Sequence, residues 1–231
     1  MANVPVPQRN EKASQPRQEI ITAHQISDYS DAITYLQTRP DINPDRIGVW
    51  GSSYSGGHVL CVGAVDRRVK AVVSQVPLVD GWENFHRLIC PDFVPSTGRG
   101  VAAGETPKCL PVVNENPLMQ SALPSADSYQ FFSTYAPGMK WENSITVKSP
   151  EALRGYVPLT DIEHISPTPL LMIVADNDLV TQTDLALKVY AKALEPKSLH
   201  ILPGGHFDVY AGEHFEPNVE AQVSFLRRHL C

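Results

Sequence analysis

RIGVWGSSYSGGHVL, residues 46–60, sets a short apolar run directly against two serines, a tyrosine and a cluster of glycines. A chain that leaves a strand and enters a helix within one sharp turn brings the two backbones close together, so the positions two before and two after the apex must be small. Gly51 and Ser55 meet that need, with Gly56 and Gly57 behind them, and the apolar run ends so near Gly51 that Ser53 falls at the apex. A frame shifted by two residues, Ser53 to Gly57, nominates Ser55 instead. A glycine-rich turn that merely starts a helix has the same composition, so the stretch needs support from the rest of the chain.

That support comes from the order of elements. Upstream, Ile26, Tyr29, Ile33 and Leu36 recur at helical spacing after Thr22 and Gln25, a pair spaced as a capping box, and Pro40 closes the helix. Residues 43–46 (NPDR) read as a turn, IGVW as a strand, SGGHVLCVGAV as a helix and VKAVVSQVP as a second strand, apolar throughout as in a sheet buried on both faces. Alternation resumes with PLLMIVA, a helix over Thr183 to Leu194, the strand KSLHILP and a helix over Pro217 to Leu230. Strands and helices alternating in this way predict a three-layer α/β fold around a parallel sheet with right-handed crossovers. Between them, residues 78–166 are rich in proline and carry Trp82, Phe85, Phe93, Tyr129, Phe131, Phe132, Tyr135 and Trp141. A structureless loop of that length is foreign to a compact domain, so the segment is expected to be an inserted lid with short helices of its own. Residues 1–17 are polar and proline-rich without periodicity and read as an extended arm, leaving 18–231 as one domain.

Composition removes several classes of function. With 42% apolar and 19% charged residues among 231, the chain has the make-up of a soluble domain with one sizeable core. Its apolar runs are far too short to span a bilayer, so no membrane partner is expected. A net charge of −6 without a basic cluster argues against nucleic acid. Cys61, Cys90, Cys109 and Cys231 show neither redox nor zinc spacing, and no charged leader precedes an apolar block, which points to free thiols in the cytoplasm. The chain carries no dinucleotide fingerprint, phosphate loop or metal-ligand spacing, so no cofactor and no metal are expected.

A serine raised on a strand-to-helix turn becomes a nucleophile when a histidine and an acid follow later strands, in that chain order. After PLLMIVA comes DNDLVTQTD, and after KSLHILP comes GGHFDVY. Asp178, three residues past the end of its strand, has the better offset for reaching an imidazole, with Asp176 as the alternative; His206 follows two glycines on a loop. Read as a calcium loop, DND fails: Thr181 stands where the tight-turn glycine belongs and Leu187 where the bidentate glutamate belongs. The other seven histidines fall on helices, in a strand or in the lid and are read as structural. In this arrangement Ser53 attacks a carbonyl, His206 carries the proton, Asp178 fixes the imidazole tautomer, and the Tyr54 N–H at the head of the helix donates to the oxyanion.

At RIGVWGSSYSGGHVL followed by DRRVKAVVSQVP, at PLLMIVADNDLVTQTDLAL and at PGGHFDVY, the chain resembles α/β-hydrolases. Within that fold it is similar to dienelactone-hydrolase-like and X-Pro-peptidase-like proteins, including fungal polyketide transferases, thioesterases and acyltransferases of secondary metabolism. The resemblance implies a Ser53, Asp178, His206 triad and a lid that shapes an acyl pocket, with Trp82, Phe85 and Trp141 as its aromatic lining. A small-molecule ester or thioester with a lipophilic acyl group is the implied substrate. Family members begin with further strands and a His-Gly loop that donates to the oxyanion; no counterpart precedes Thr22, so the fold is expected to be a truncated one. The strand at Ile47 would then be a sheet edge, covered by a second copy in a symmetric dimer or by the Glu19 to Thr22 segment. The missing oxyanion loop also keeps open a non-hydrolytic cyclase, isomerase, lyase or pseudoenzyme on the same frame.

Overall fold

The structure is a computed structural model and describes residues 17–89 and 107–231. The expected arm up to Pro16, together with Cys90, Phe93 and the rest of 90–106 in the expected lid, lies outside the described residues. Cys61, Cys109 and Cys231 carry free thiols. No helix among the described residues is long and apolar enough to cross a membrane.

Helix α1 (Thr22–Gln37) leads through a 3-10 turn (Pro44–Arg46) into β1 (Ile47–Ser52), α2 (Tyr54–Val65) and β2 (Val69–Gln75). The turn holds because the Asn43 side chain accepts from the Asp45 N–H at 2.9 Å. Next come α3 (Gly81–Leu88), β3 (Cys109–Leu110), α4 (Ala126–Tyr135), β4 (Ile145–Thr146) and α5 (Lys148–Arg154), then two 3-10 turns at Pro158–Thr160 and Ile162–Ile165. The chain closes with β5 (Leu170–Ala175), α6 (Thr183–Lys192), β6 (Lys197–Leu202) and α7 (Phe215–Leu230). The main sheet runs β1-β2-β5-β6 with every pairing parallel, and β3 and β4 form a separate antiparallel ribbon in the 78–166 segment.

Successive residues of β5, and of β2 from Ala71 onward, go to opposite layers, as a pleated strand requires, while an irregularity in the β1 pairing puts Val69 out of that phase. Val69, Val72, Leu170, Met172 and Val174 pack with α2, α6 and Ile33 of α1, while Ala71, Val73, Leu171, Ile173 and Ala175 pack beneath α7 around Phe225. Both faces are covered, which explains why these strands read as mainly apolar runs and not as alternating ones. On β1 the side away from β2 has no strand partner among the described residues, and Trp50 there is half exposed. The Glu19 to Thr22 segment does not cover that edge. Instead the Ile20 N–H donates to Ser149 Oγ at 2.8 Å and the Gln18 carbonyl accepts from Thr146 N–H at 2.9 Å, fastening the segment to β4 and α5.

The capping box expected at Thr22 and Gln25 does not form. Ile21 caps α1 without a side-chain bond. The Thr22 hydroxyl pairs instead with the Tyr54 hydroxyl at 2.6 Å, and Gln25 Oε1 accepts from His58 Nε2 at 3.0 Å. Tertiary partners on α2 win over the local pairing. His58, 1% exposed, must therefore use Nδ1 as an acceptor, and the Tyr156 hydroxyl donates to it at 2.9 Å.

This neutral imidazole makes stability depend on pH. Burial holds the His58 pKa down, from 6.5 to about 4. The unfolded chain binds the proton first as pH falls, so the contribution is whole above 6.5 and drains away towards 4. Its full size is on the order of 3 kcal/mol. Urea unfolding of the wild type and of His58→Gln should show the wild type losing its advantage between neutral pH and the lower value; a constant difference across that range would refute the assignment.

Candidate active site

The Ser53 backbone stands at φ 57°, ψ −119°, capping α2 at the C-terminal end of β1. A positive φ on a residue with a side chain costs on the order of 1–3 kcal/mol and persists only where the surroundings enforce it. They do so here: a Cβ at Gly51 would sit 2.1 Å from the Ser55 carbonyl oxygen, so the chain must turn tightly. The Ser53 N–H donates to the Gln75 carbonyl at 2.9 Å and the Ser53 carbonyl accepts from the Leu78 N–H at 3.0 Å, fixing the turn to the end of β2. Ser55 has a different task. Its hydroxyl donates to the Ser52 carbonyl at 2.9 Å and accepts from the Ser52 N–H at 3.2 Å, tying the turn from within.

The loops after β5 and β6 bring the acid and the imidazole to the same place. Ser53 Oγ lies 2.9 Å from His206 Nε2, and His206 Nδ1 lies 2.7 Å from Asp178 Oδ2. A carboxylate only accepts, so Nδ1 carries the proton and Nε2 is left to accept from the serine. His206 and Asp178 are 2% and 4% exposed, which shields the pair from screening by water. Burial pushes the Asp178 carboxyl up, but the His206 bond and charge, together with bonds from Thr181, outweigh it and hold the group below the usual carboxylate range. Asp176, the alternative acid, faces elsewhere: its Oδ1 accepts from the Gly204 N–H at 2.9 Å and ties the two loops together.

Some of the supporting residues escaped the sequence reading. Asp178 Oδ1 accepts from the Val180 and Thr181 N–H groups, each at 2.8 Å, and the Thr181 hydroxyl lies 2.8 Å from Oδ2 and 2.9 Å from the Val76 carbonyl. The only sign in the sequence was a small polar residue three positions after the acid. A second group stands behind the turn. Gln75 Nε2 donates to Ser52 Oγ at 3.0 Å, Ser52 Oγ pairs with the Tyr210 hydroxyl at 2.6 Å, and Gln75 Oε1 accepts from Asn218 at 2.7 Å and Gln222 at 2.9 Å. Gln222 Oε1 then accepts from Trp50 Nε1 at 2.6 Å, so one chain of polar groups runs from the half-exposed sheet edge to the histidine loop. A glutamine ending an apolar strand, and Asn218 and Gln222 one helical turn apart, were the available signals.

Ser53 opens onto a cavity of about 200 Å³ whose walls include Tyr54, Phe85, Leu110, Val112 and Leu123. Two of the aromatics expected to line it do not. Trp82 is 53% exposed and packs on His86, with the Arg154 guanidinium 5.1 Å from its ring centre. Trp141 stacks on Phe132 at 4.9 Å, while Phe131 stacks on Phe207 at 4.5 Å, beside His206. The aromatic face of α4 thus packs, half-buried, against the back of the histidine loop and not over the serine.

The family model for X-Pro dipeptidyl-peptidase (S15 family) matches residues 2–208. The chain belongs to the S15 family. As a member of it, and so of the α/β-hydrolase superfamily, the chain is an enzyme of the α/β-hydrolase type. Among its relatives are the thiohydrolase aneE of Aspergillus aculeatus, 30% identical over 96% of this chain and 74% of that protein, and the quorum-quenching protein AidA of Acinetobacter baumannii, 31% identical over 93% and 72%. The crystal structure of the α/β hydrolase GrgF from Penicillium superposes with a TM-score of 0.74 at 29% identity, covering 94% of this chain and 75% of that one. This S15 member spans about three quarters of each of these relatives.

Strain at the turn gives a reversed stability order. At ordinary positions alanine is more stable than glycine. At the Ser53 φ and ψ, Ser53→Gly should be more stable than Ser53→Ala by about 1 kcal/mol, since only glycine relieves the strain. Denaturant midpoints of the two variants measure this, and alanine above glycine would show that the turn relaxes.

Proposed function

We propose that the chain hydrolyses or transfers an acyl group held as an ester or thioester, with Ser53 as nucleophile. The observation that carries the reading is the nature of the cavity beside the serine: none of its described lining residues is charged. An X-Pro peptide substrate would bring a free ammonium group that needs a carboxylate partner, whereas a lipophilic acyl chain needs only apolar walls. Names among the relatives point the same way: thiohydrolase, polyketide transferase and acyltransferase. A polyketide-type chain from secondary metabolism is therefore the substrate class we assign.

The chemistry follows from the contacts. As Ser53 Oγ bonds to the acyl carbon, its proton passes to His206 Nε2 and the carbonyl oxygen becomes an oxyanion. The Tyr54 N–H, first of α2 and without an intrahelical acceptor, donates to that oxyanion with the helix dipole behind it. Collapse expels the thiol or alcohol, which takes the proton back from His206 and leaves an acyl-serine. Water or an acceptor nucleophile then repeats the sequence and frees Ser53. Asp178 holds the ring in the working tautomer and stabilises the imidazolium.

Turnover of acyl N-acetylcysteamine thioesters, followed by thiol release, tests this. Ser53→Ala should lower kcat about 10⁴-fold or more, and Asp178→Asn by a similar factor, because an amide N–H facing Nδ1 forces the proton onto Nε2. Wild-type turnover by Ser53→Ala would refute the acyl-serine step and move the function to acid-base chemistry by His206 and Asp178.

A further inference from the structure

The cavity beside Ser53 has apolar walls in which one polar side chain is unaccounted for. Ser121 lines it, is 3% exposed, and its Oγ has no hydrogen-bond partner among the described residues. The other hydroxyl and amide groups of the lining are engaged. Asn84 Nδ2 donates to the Val180 carbonyl at 3.0 Å, Ser149 Oγ accepts from Ile20 N–H at 2.8 Å, the Tyr54 hydroxyl pairs with Thr22, and the Thr181 hydroxyl holds Asp178. Ser121 also sits in a braced wall. The flanking Ala122 and Leu123 N–H groups donate to the Pro111 and Val112 carbonyls at 3.0 and 2.8 Å. Asn143 then clamps Val113 through both its N–H and its carbonyl, each at 2.9 Å. A wall held at that many points does not swing the hydroxyl out to water.

An unmade buried hydrogen bond is costly, and alanine would fill the same space without the cost. The hydroxyl gains a use when the ligand supplies the missing partner. We propose that Ser121 is a specificity-determining residue that bonds an oxygen carried along the acyl chain. Resting on the acyl-enzyme reading above, this narrows the substrate class to hydroxylated or keto acyl groups, in preference to saturated ones of equal length. The asymmetry is inherent to such sites: an apolar wall discriminates weakly between chains differing by a methylene, whereas a buried polar group left unpaired penalises the analogue that lacks the oxygen. The preference should be about 10-fold in affinity, the scale of one neutral hydrogen bond.

The test is calorimetric binding of octanoic acid and of hydroxyoctanoic acids with the hydroxyl at each successive chain carbon, to the wild type and to Ser121→Ala. At least one hydroxy acid should bind the wild type about 10-fold more tightly than octanoic acid, and in Ser121→Ala that pair should bind alike. If acids bind but no hydroxy acid gains, or if the gain survives in Ser121→Ala, the inference is overturned while the acyl reading stands. If no acid of the series binds, the inference is overturned as well, and the acyl reading is decided by the Ser53→Ala kinetics alone. The Ser53→Ala kinetics described above are independent of these outcomes.

Discussion

The carbonyl oxygen of Ser55 occupies the space that a side chain at residue 51 would need, only 2.1 Å from where its Cβ would lie. That close approach lets β1 pass into α2 within a single turn and forces Ser53 into the left-handed region. The rest of the site depends on it. A serine raised in this way stands clear of the sheet, at the height where the loops after β5 and β6 emerge. Because all four strands run parallel, those loops leave the same edge of the sheet. An imidazole and a carboxylate from distant parts of the chain then need only short loops to reach it.

Strain at the turn is offset by the structure around it. The Ser53 backbone is tied to both ends of the passage from β2, and Ser52 is tied through Gln75 to Asn218 and Gln222 on α7. Polar networks of this kind are costly when half satisfied and rigid when complete. Here the Gln75 amide uses its nitrogen for Ser52 and its oxygen for both α7 amides, so the element carrying the serine and the helix beyond the histidine loop are fixed to the same side chain. On the acid side, Thr181 and Val180 do for Asp178 what Gln75 does for the turn.

Much of this was legible in the sequence because the physics was local. Strands β2 and β5 announced themselves as mainly apolar runs, since α2 and α6 cover one face and α7 the other. Ser53 was readable from the size of its neighbours, and His206 and Asp178 from their offsets beyond strand ends. Where tertiary contacts decided, the sequence misled. Thr22 and Gln25 have capping-box spacing, yet Tyr54 and His58 take both side chains. Trp82 and Trp141 lie in the segment above the serine, but Trp82 sits on a helix of eight residues, too short for periodicity to show its facing, and Trp141 lies outside any helix, stacked on Phe132. The polar residues Gln75 and Thr181 left only faint signals, because Gln75 works through α7 far along the chain and a single threonine three positions after an acid is common, and Ser121 left none.

Mass spectrometry of the intact enzyme quenched during turnover of an acyl thioester addresses the relay most directly. An acyl increment on the peptide that carries Ser53, absent in Ser53→Ala and slow to form when His206 is replaced by glutamine, is the expected result. Turnover at the full rate with no increment on any peptide, or with the acyl group on a cysteine, would contradict it.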